Sequence, residues 1–403
     1  MADRGGMSAP GTTRRPGSGR GPRVLVLGIA AQYPMAGVTW QAMHYLLGLV
    51  ALGCDVYYVE DSGAPPYDPA SGGIGTDARP NVAYLAAAMR RIDFAERWAY
   101  WDAQADCWHG LGHARVAELY RSADAIFNLC GATRPRAEHR QGARLCYVET
   151  DPVYEQMRVA NGEADSIAFL GAHDVLFTYG ELLGTASCAI PAERFRWIHT
   201  RPPVLLDQWR PASPGRFFCS VATWENKGKN VHFRGETYYW SKHVNFLRMI
   251  DVPCRSGEPF QLAMDPLDPA VRSLLATHGW ALIDPRPISA DIDAYRAYLE
   301  AARAEFTVAK DIYVRPRSGW FSDRSVCYLA AGKPVITQET GFSERIPSGR
   351  GLLAFSTLEE AVEAVRAVVA DYPTHARAAR AIAAEYFAAE RVIGTMLAAA
   401  GVG

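Results

Sequence analysis

The sequence predicts an α/β protein built from two doubly wound domains that face a cleft, and three observations predict it. Short aliphatic runs of the kind that form buried parallel strands alternate with stretches of helical period. A segment carrying three prolines, 195–211, interrupts that alternation, and a new strand-like run opens at Arg216. With 403 residues the chain is long enough for two domains, each with its own core.

The first strand is Arg-Val-Leu-Val-Leu-Gly at 23–28, aliphatic without alternation and so buried on both faces. Residues 38–52 carry apolar side chains at helical spacing, and Gly53 supplies the usual stop. A second strand at 54–60 completes a βαβ unit with a right-handed crossover. Further strands are expected at 123–129, 144–149 and 175–179, with a helix near 115–120. This is a Rossmann-like pattern. Pro202-Pro203 favours extended backbone, which makes this stretch the link between domains.

In the second half, strands at 216–221, 304–308 and 334–337 alternate with helices at 295–304 and 322–331, and amphipathic stretches follow at 358–369 and 375–397. The expected divisions are a leader over 1–22, an N-terminal Rossmann-like domain over 23–200, a linker over 201–212 and a second such domain over 213–380. A last helix within 381–403 is free to return to the first domain.

Composition narrows the function classes. A formal net charge of -1 argues against a nucleic-acid protein with a broad basic field. The 8 cysteines include no CxxC pair, so neither a zinc ribbon nor a dithiol redox motif is indicated, and scattered reduced thiols fit a cytoplasmic protein. The leader, rich in Gly, Pro, Ser and Arg, has no apolar core and reads as disordered rather than secretory. No apolar run approaches the roughly 20 residues of a membrane span.

The richest segment is 318–342. Gly319 allows a turn, Ser322 or Asp323 can cap the helix that follows, Gly332 can stop it, and Pro334 opens the strand Val335-Ile336-Thr337. The free N–H groups of that helix start, with Ser322, Ser325 and the cation Arg324, could cradle a pyrophosphate. A capped helix alone would explain the same residues. The run A-x-G-x-P-V, then Gln338 to Glu344, Gly351-Leu352-Leu353 and Leu358-Glu359-Glu360-Ala361, resembles the donor-nucleotide half of GT-B glycosyltransferases.

That resemblance implies Ser322, Asp323, Arg324 and Ser325 near a diphosphate, and Glu339, Thr340 and Gly341 near the sugar, with Glu344 close by. The linker end, Asp207 to Pro211, is also similar to the family's interdomain stretch. In one respect the chain departs from the pattern: Gly319 and Cys327 stand where retaining members carry two glutamates, so the stereochemical outcome stays open.

Other candidates come from loops at strand ends, where doubly wound sheets hold ligands. Lys227 or Lys229, just past the strand at 216–221, could neutralise phosphate, and the aromatic run 238–243 could stack on a base or a sugar. In the N-terminal half the loop 28–40 lacks G-x-G-x-x-G, which disfavours a nicotinamide oxidoreductase, but Gly37 and Thr39 at its helix start would let a phosphate or acceptor approach. A general base for an acceptor hydroxyl would come from Asp151, His44 or Glu149, Asp151 being preferred for its place at a strand end. Asp291-Ile292-Asp293 matches a D-x-D metal motif formally but reads as helix capping, and no metal site is expected.

The acceptor pocket should come from 57–80 and 100–112, which hold no readable motif. The expected activity is metal-independent transfer of a sugar from a nucleoside-diphosphate sugar, a co-substrate rather than a cofactor, to a small-molecule or glycan acceptor. The alternatives are a sugar-nucleotide epimerase or hydrolase of the same shape, or a non-catalytic nucleotide-sugar-binding protein.

Overall fold

The structure, a computed structural model, describes residues 21–265 and 267–402; the side chains of Lys227 and Asp265 lie outside that description, as does all but the end of the expected leader. The first sheet comprises β1 (Arg23–Leu27), β2 (Asp55–Glu60), β3 (Trp98–Asp102), β4 (Cys107–Gly110), β5 (Ala125–Leu129), β6 (Arg144–Glu149), β7 (Val175–Thr178) and β8 (Trp197–His199). Their spatial order is β8-β7-β6-β5-β1-β2-β3-β4. Every neighbouring pair is parallel except the hairpin β3–β4.

The second sheet is parallel throughout: β9 (Phe218–Thr223), β10 (Phe260–Asp265), β11 (Trp280–Ile283), β12 (Ala304–Thr307), β13 (Val335–Gln338) and β14 (Leu352–Phe355), in the order β11-β10-β9-β12-β13-β14. Both sheets are doubly wound, as the alternation predicts. In each, the chain reverses its direction of winding beside the first strand, between β1 and β5 and between β9 and β12. Ligands of such sheets sit outside the carboxyl ends of the strands at these points.

Three details differ from the sequence expectation. Within 195–211, which shows no clear period, Trp197–His199 pairs with β7 as an edge strand before Pro202-Pro203 breaks the ladder. Strands β10 and β11 were not expected, since Phe-Gln-Leu-Ala-Met-Asp has no continuous β-branched run. The stretch 100–112, expected to shape the acceptor pocket but without a readable element, is largely the β3–β4 hairpin. The capping reading of the D-x-D match agrees with the structure: Asp291 accepts from the N–H groups of Asp293 and Ala294 at 2.9 and 2.8 Å.

Between the sheets, α1 (Ala36–Ala51) packs on α2 (Ile292–Glu300), and Trp40 donates its indole N–H to the Ile292 carbonyl at 2.9 Å. The last helix, α6 below in chain order after α3 (Asp323–Ala330), α4 (Leu358–Ala370) and α5 (Tyr372–Ile382), spans Ala389–Ala400 and lies against α1. A Cβ at Gly48 would stand 2.5 Å from Ile393 Cδ1, so glycine is what lets these two helices approach. The two chain crossings run side by side: Val204 N–H donates to the Phe387 carbonyl at 2.8 Å, and Ala389 N–H to the Val204 carbonyl at 3.0 Å. Among the described residues no helix is long and apolar enough to cross a membrane.

Candidate active site in the interdomain cleft

The carboxyl ends of β5 and β6 face the second domain. Asp151, in the turn after β6, reaches across: its Oδ1 accepts from Lys310 Nζ at 2.8 Å and from the Tyr313 hydroxyl. Lys310, just past β12, also donates to the Tyr313 hydroxyl at 2.9 Å, and its ammonium lies 4.0 Å from the centre of the Trp240 ring. Lys229 approaches the same ring at 5.2 Å and is exposed. Trp320 closes the group, donating to the Thr150 carbonyl at 2.9 Å while packing on Tyr313 at 4.4 Å between ring centres. Burial raises the Asp151 carboxyl, but the charge of Lys310 and its hydrogen bonds outweigh this and hold it below the usual carboxylate range.

Beside them stands the start of α3. Its N-cap, Ser322, makes no side-chain bond to the helix, so the first N–H groups carry no side-chain cap. Ser325 Oγ, in the first turn, is fully buried without a hydrogen-bond partner. Asp323 faces Gln41 of α1 and Tyr179. Burial pushes its carboxyl up to about 7, a hydrogen bond from Gln41 opposes this, and the charge of Asp151 adds to the rise. Two aspartates thus share the cleft with opposite proton affinities, one held ionised by a lysine and the other poised near neutrality.

Other candidates lie elsewhere. Arg324, expected at a diphosphate, turns into the second sheet: it pairs with buried Glu305 at 2.6 Å and donates to the Val221 carbonyl at 2.6 Å and to Thr307 Oγ1 at 2.8 Å. The guanidinium is thus committed to Glu305 and to the sheet rather than to the cleft. Lys242 sits on the same hub, donating to Val308 O at 2.9 Å; burial and then repulsion from Arg324 push it well below the ordinary lysine range.

His44, a candidate base, is buried between Trp40 and Trp209 and accepts from the Trp209 indole at 3.2 Å; burial pushes it down to about 3. It has no access to a substrate. Glu149 is likewise internal, holding Gln156 and Thr178, and burial raises it to about 8. Thr39 is fully buried, bonded to the Met35 carbonyl and the Tyr84 hydroxyl, and Gly37 faces the Tyr295 ring rather than an open groove. The side chain of Lys227 falls outside the described residues.

The loop after β13 lines the cleft through its backbone. Gly341 has φ +97°, and a Cβ there would lie 2.4 Å from Leu182 of the first domain. Its N–H donates to Glu339 at 2.5 Å, and Thr340 donates to the Trp320 carbonyl at 2.5 Å. Glu344 sits at the surface, paired with Arg317 at 2.7 Å and accepting from Ser187 at 2.8 Å. Gly319, at φ +77°, meets the backbone of Leu182 at 2.7 Å from where a Cβ would be, so the two departures from the glutamate pattern are a glycine required by domain contact and a buried thiol.

Sequence reasoning missed Lys310, Tyr313 and Gln41. Only Lys310 carried a signal, a cation directly after the strand at 304–308.

No protein-family model matches the chain, and no curated protein matches it in sequence. Solved structures do. AviGT4, a glycosyltransferase of avilamycin A biosynthesis, is 14% identical with a TM-score of 0.53, covering 94% of this chain and 97% of its own. HepE of Anabaena in complex with UDP is 10% identical with a TM-score of 0.53, covering 94% and 100%. Sucrose-phosphate synthase of Thermosynechococcus elongatus is 12% identical with a TM-score of 0.52, covering 94% and 97%. Each likeness covers nearly the whole chain, and the chain has the GT-B fold of these glycosyltransferases.

Proposed function

We propose that the protein transfers a sugar from a nucleoside-diphosphate sugar to a small-molecule or glycan acceptor. The observation that carries this reading is the meeting, across one cleft, of Lys310 and Lys229, the uncapped start of α3, and a near-neutral carboxyl at Asp323. The lysines past β9 and β12 and the free N–H groups at the start of α3 take up the charge of a leaving diphosphate. The acceptor oxygen attacks the anomeric carbon, the bond from that carbon to the diphosphate oxygen breaks with its electron pair on the diphosphate, and the hydroxyl proton passes to a carboxylate. Asp323 fits that last role better than Asp151, because a base works best with a proton affinity near the working pH. The fold's similarity to a UDP complex of HepE favours a uridine nucleotide as first probe.

Calorimetric titration with UDP, ADP, GDP and TDP tests the pocket. Binding of at least one, weakened roughly tenfold in Lys310→Ala, is expected; no binding by any of the four overturns the reading. Incubation of radiolabelled UDP-glucose with water alone, and then with glycan and small-molecule acceptors, distinguishes transfer from hydrolysis.

A further inference from the structure

The β3–β4 hairpin, far in sequence from every donor-side residue, gathers three metal-binding side chains on one face. Asp102 and Cys107 are directly opposite in the ladder, and His109 stands two residues along from Cys107, opposite Tyr100. Cys107 Sγ lies 3.5 Å from His109 Nε2, and that nitrogen lies 3.9 Å from Asp102 Oδ2. All three donor atoms fall within 4.8 Å of one another. We propose that Asp102, Cys107 and His109 bind a divalent zinc-type cation.

The geometry suits such an ion. Bonds of about 2.3 Å to sulfur and 2.0 Å to nitrogen at tetrahedral angles place those two atoms roughly 3.5 Å apart, close to the separation found here. The Asp102–His109 pair needs to close by about half an ångström, a side-chain adjustment. One thiolate, one imidazole and one carboxylate suit zinc or cobalt and are a poor set for magnesium or calcium, which take oxygen. Asp102 is already aimed: Oδ1 accepts from the N–H groups of Gln104 and Ala105 at 3.0 and 3.1 Å, which fixes the carboxylate and leaves Oδ2 towards the histidine.

The carboxylate is buried, whereas the thiol and imidazole are partly exposed, so an ion has a route in and a fourth position on the open side. On the opposite face Trp101 and Trp108 pack at 5.4 Å and stiffen the hairpin. Because the hairpin is the edge of the first sheet, the bound ion would pin an edge that otherwise hangs on β2 alone.

Cobalt(II) reports this site directly. Titration of the reduced, metal-free protein should give visible ligand-field bands and a near-ultraviolet thiolate-to-cobalt band, saturating at one equivalent and displaced by zinc. Cys107→Ser and His109→Ala should each weaken zinc binding by tenfold or more, as measured by competition with a chelating dye. Cys254→Ser, which removes the exposed thiol elsewhere, should leave the band intact. Absence of a thiolate band in the wild-type protein, or its survival in Cys107→Ser, overturns the proposal. Circular dichroism of each variant separates lost binding from lost folding, and Asp102→Asn, which keeps the shape of the side chain, supplies the same test if His109→Ala fails to fold.

Discussion

Two clusters of charge involve cations of the second domain, and they differ in what surrounds them. Arg324, Glu305, Thr307 and Lys242 form a hub on the sheet in which every cation already has a protein partner and Glu305 is fully buried. Lys310, Lys229 and Asp151 lie at the cleft, half-exposed or exposed, with one aspartate balancing two lysines. One cation of each cluster, Arg324 in the hub and Lys229 at the cleft, reads as phosphate-binding in the sequence. Burial separates them: a cation that neutralises a buried carboxylate holds the fold, and one that shares a partner across a cleft can be recruited by an anion.

The sharpest way to break this comparison is Arg324→Ala. It leaves Glu305 buried and unpaired, one of whose oxygens already lacks a partner. A destabilisation of about 3–5 kcal/mol is expected for such a loss, seen as a large fall in melting temperature whether or not nucleotide is present. An unchanged melting temperature with weakened nucleotide binding would move Arg324 into the cleft cluster.

Next comes Asp323→Asn, which tests the near-neutral carboxyl. Its folded proton affinity is raised above the ordinary value, so between about pH 4 and 7 the native state binds more protons than the unfolded one and stability falls as pH rises. The asparagine variant should therefore gain melting temperature at pH 8 relative to wild type. It should also lose transfer rate by about a hundredfold, the usual scale for a general base, and wild-type kcat/KM should climb as pH rises through about 7. A variant that keeps its rate and its pH profile would leave Asp323 as a positioning residue only.

Lys310→Ala is expected to act differently. Asp151 stays half-exposed and can turn to water, so melting temperature should move little. Affinity for nucleoside diphosphate should fall roughly tenfold, about 1.4 kcal/mol, with a weaker dependence of binding on salt. A large loss of stability instead would make the Asp151–Lys310 pair a domain clasp.

The sequence showed the fold better than the site, for a physical reason. Aliphatic strands such as 23–28 and 335–337 and the stop at Gly332 are local signals, set by period and turn chemistry. Phe260–Asp265 and Trp280–Ile283 escaped because their burial comes from tertiary packing rather than from composition. At the site, position along the chain was legible but direction was not: Asp323 and Arg324 are adjacent, yet one side chain faces the cleft and the other the sheet. His44 was chosen by residue type, and only the flanking tryptophans reveal that it is packing. Lys310 and Tyr313 gain meaning only when the second domain brings them to Asp151.

The smallest expected effect is at Glu344, which a family-based reading places near the sugar. Here both its oxygens are used at the surface, by Arg317 and Ser187, and the carboxylate stands outside the Asp151–Asp323 cluster. Hydrogen bonds from these two groups hold it below the usual carboxylate range, as an exposed ion pair does. Such solvent-screened pairs contribute little to stability. Glu344→Gln should accordingly change melting temperature by no more than about 2 °C and leave nucleotide affinity and transfer rate within twofold. The Ser187 contact does cross from one domain to the other, so a loss of rate would mean that domain closure draws on it. A tenfold fall in KM-normalised rate with nucleotide binding intact would thus join Glu344 to the cleft cluster, whereas a twofold change confirms that surface pairing takes it out of the chemistry.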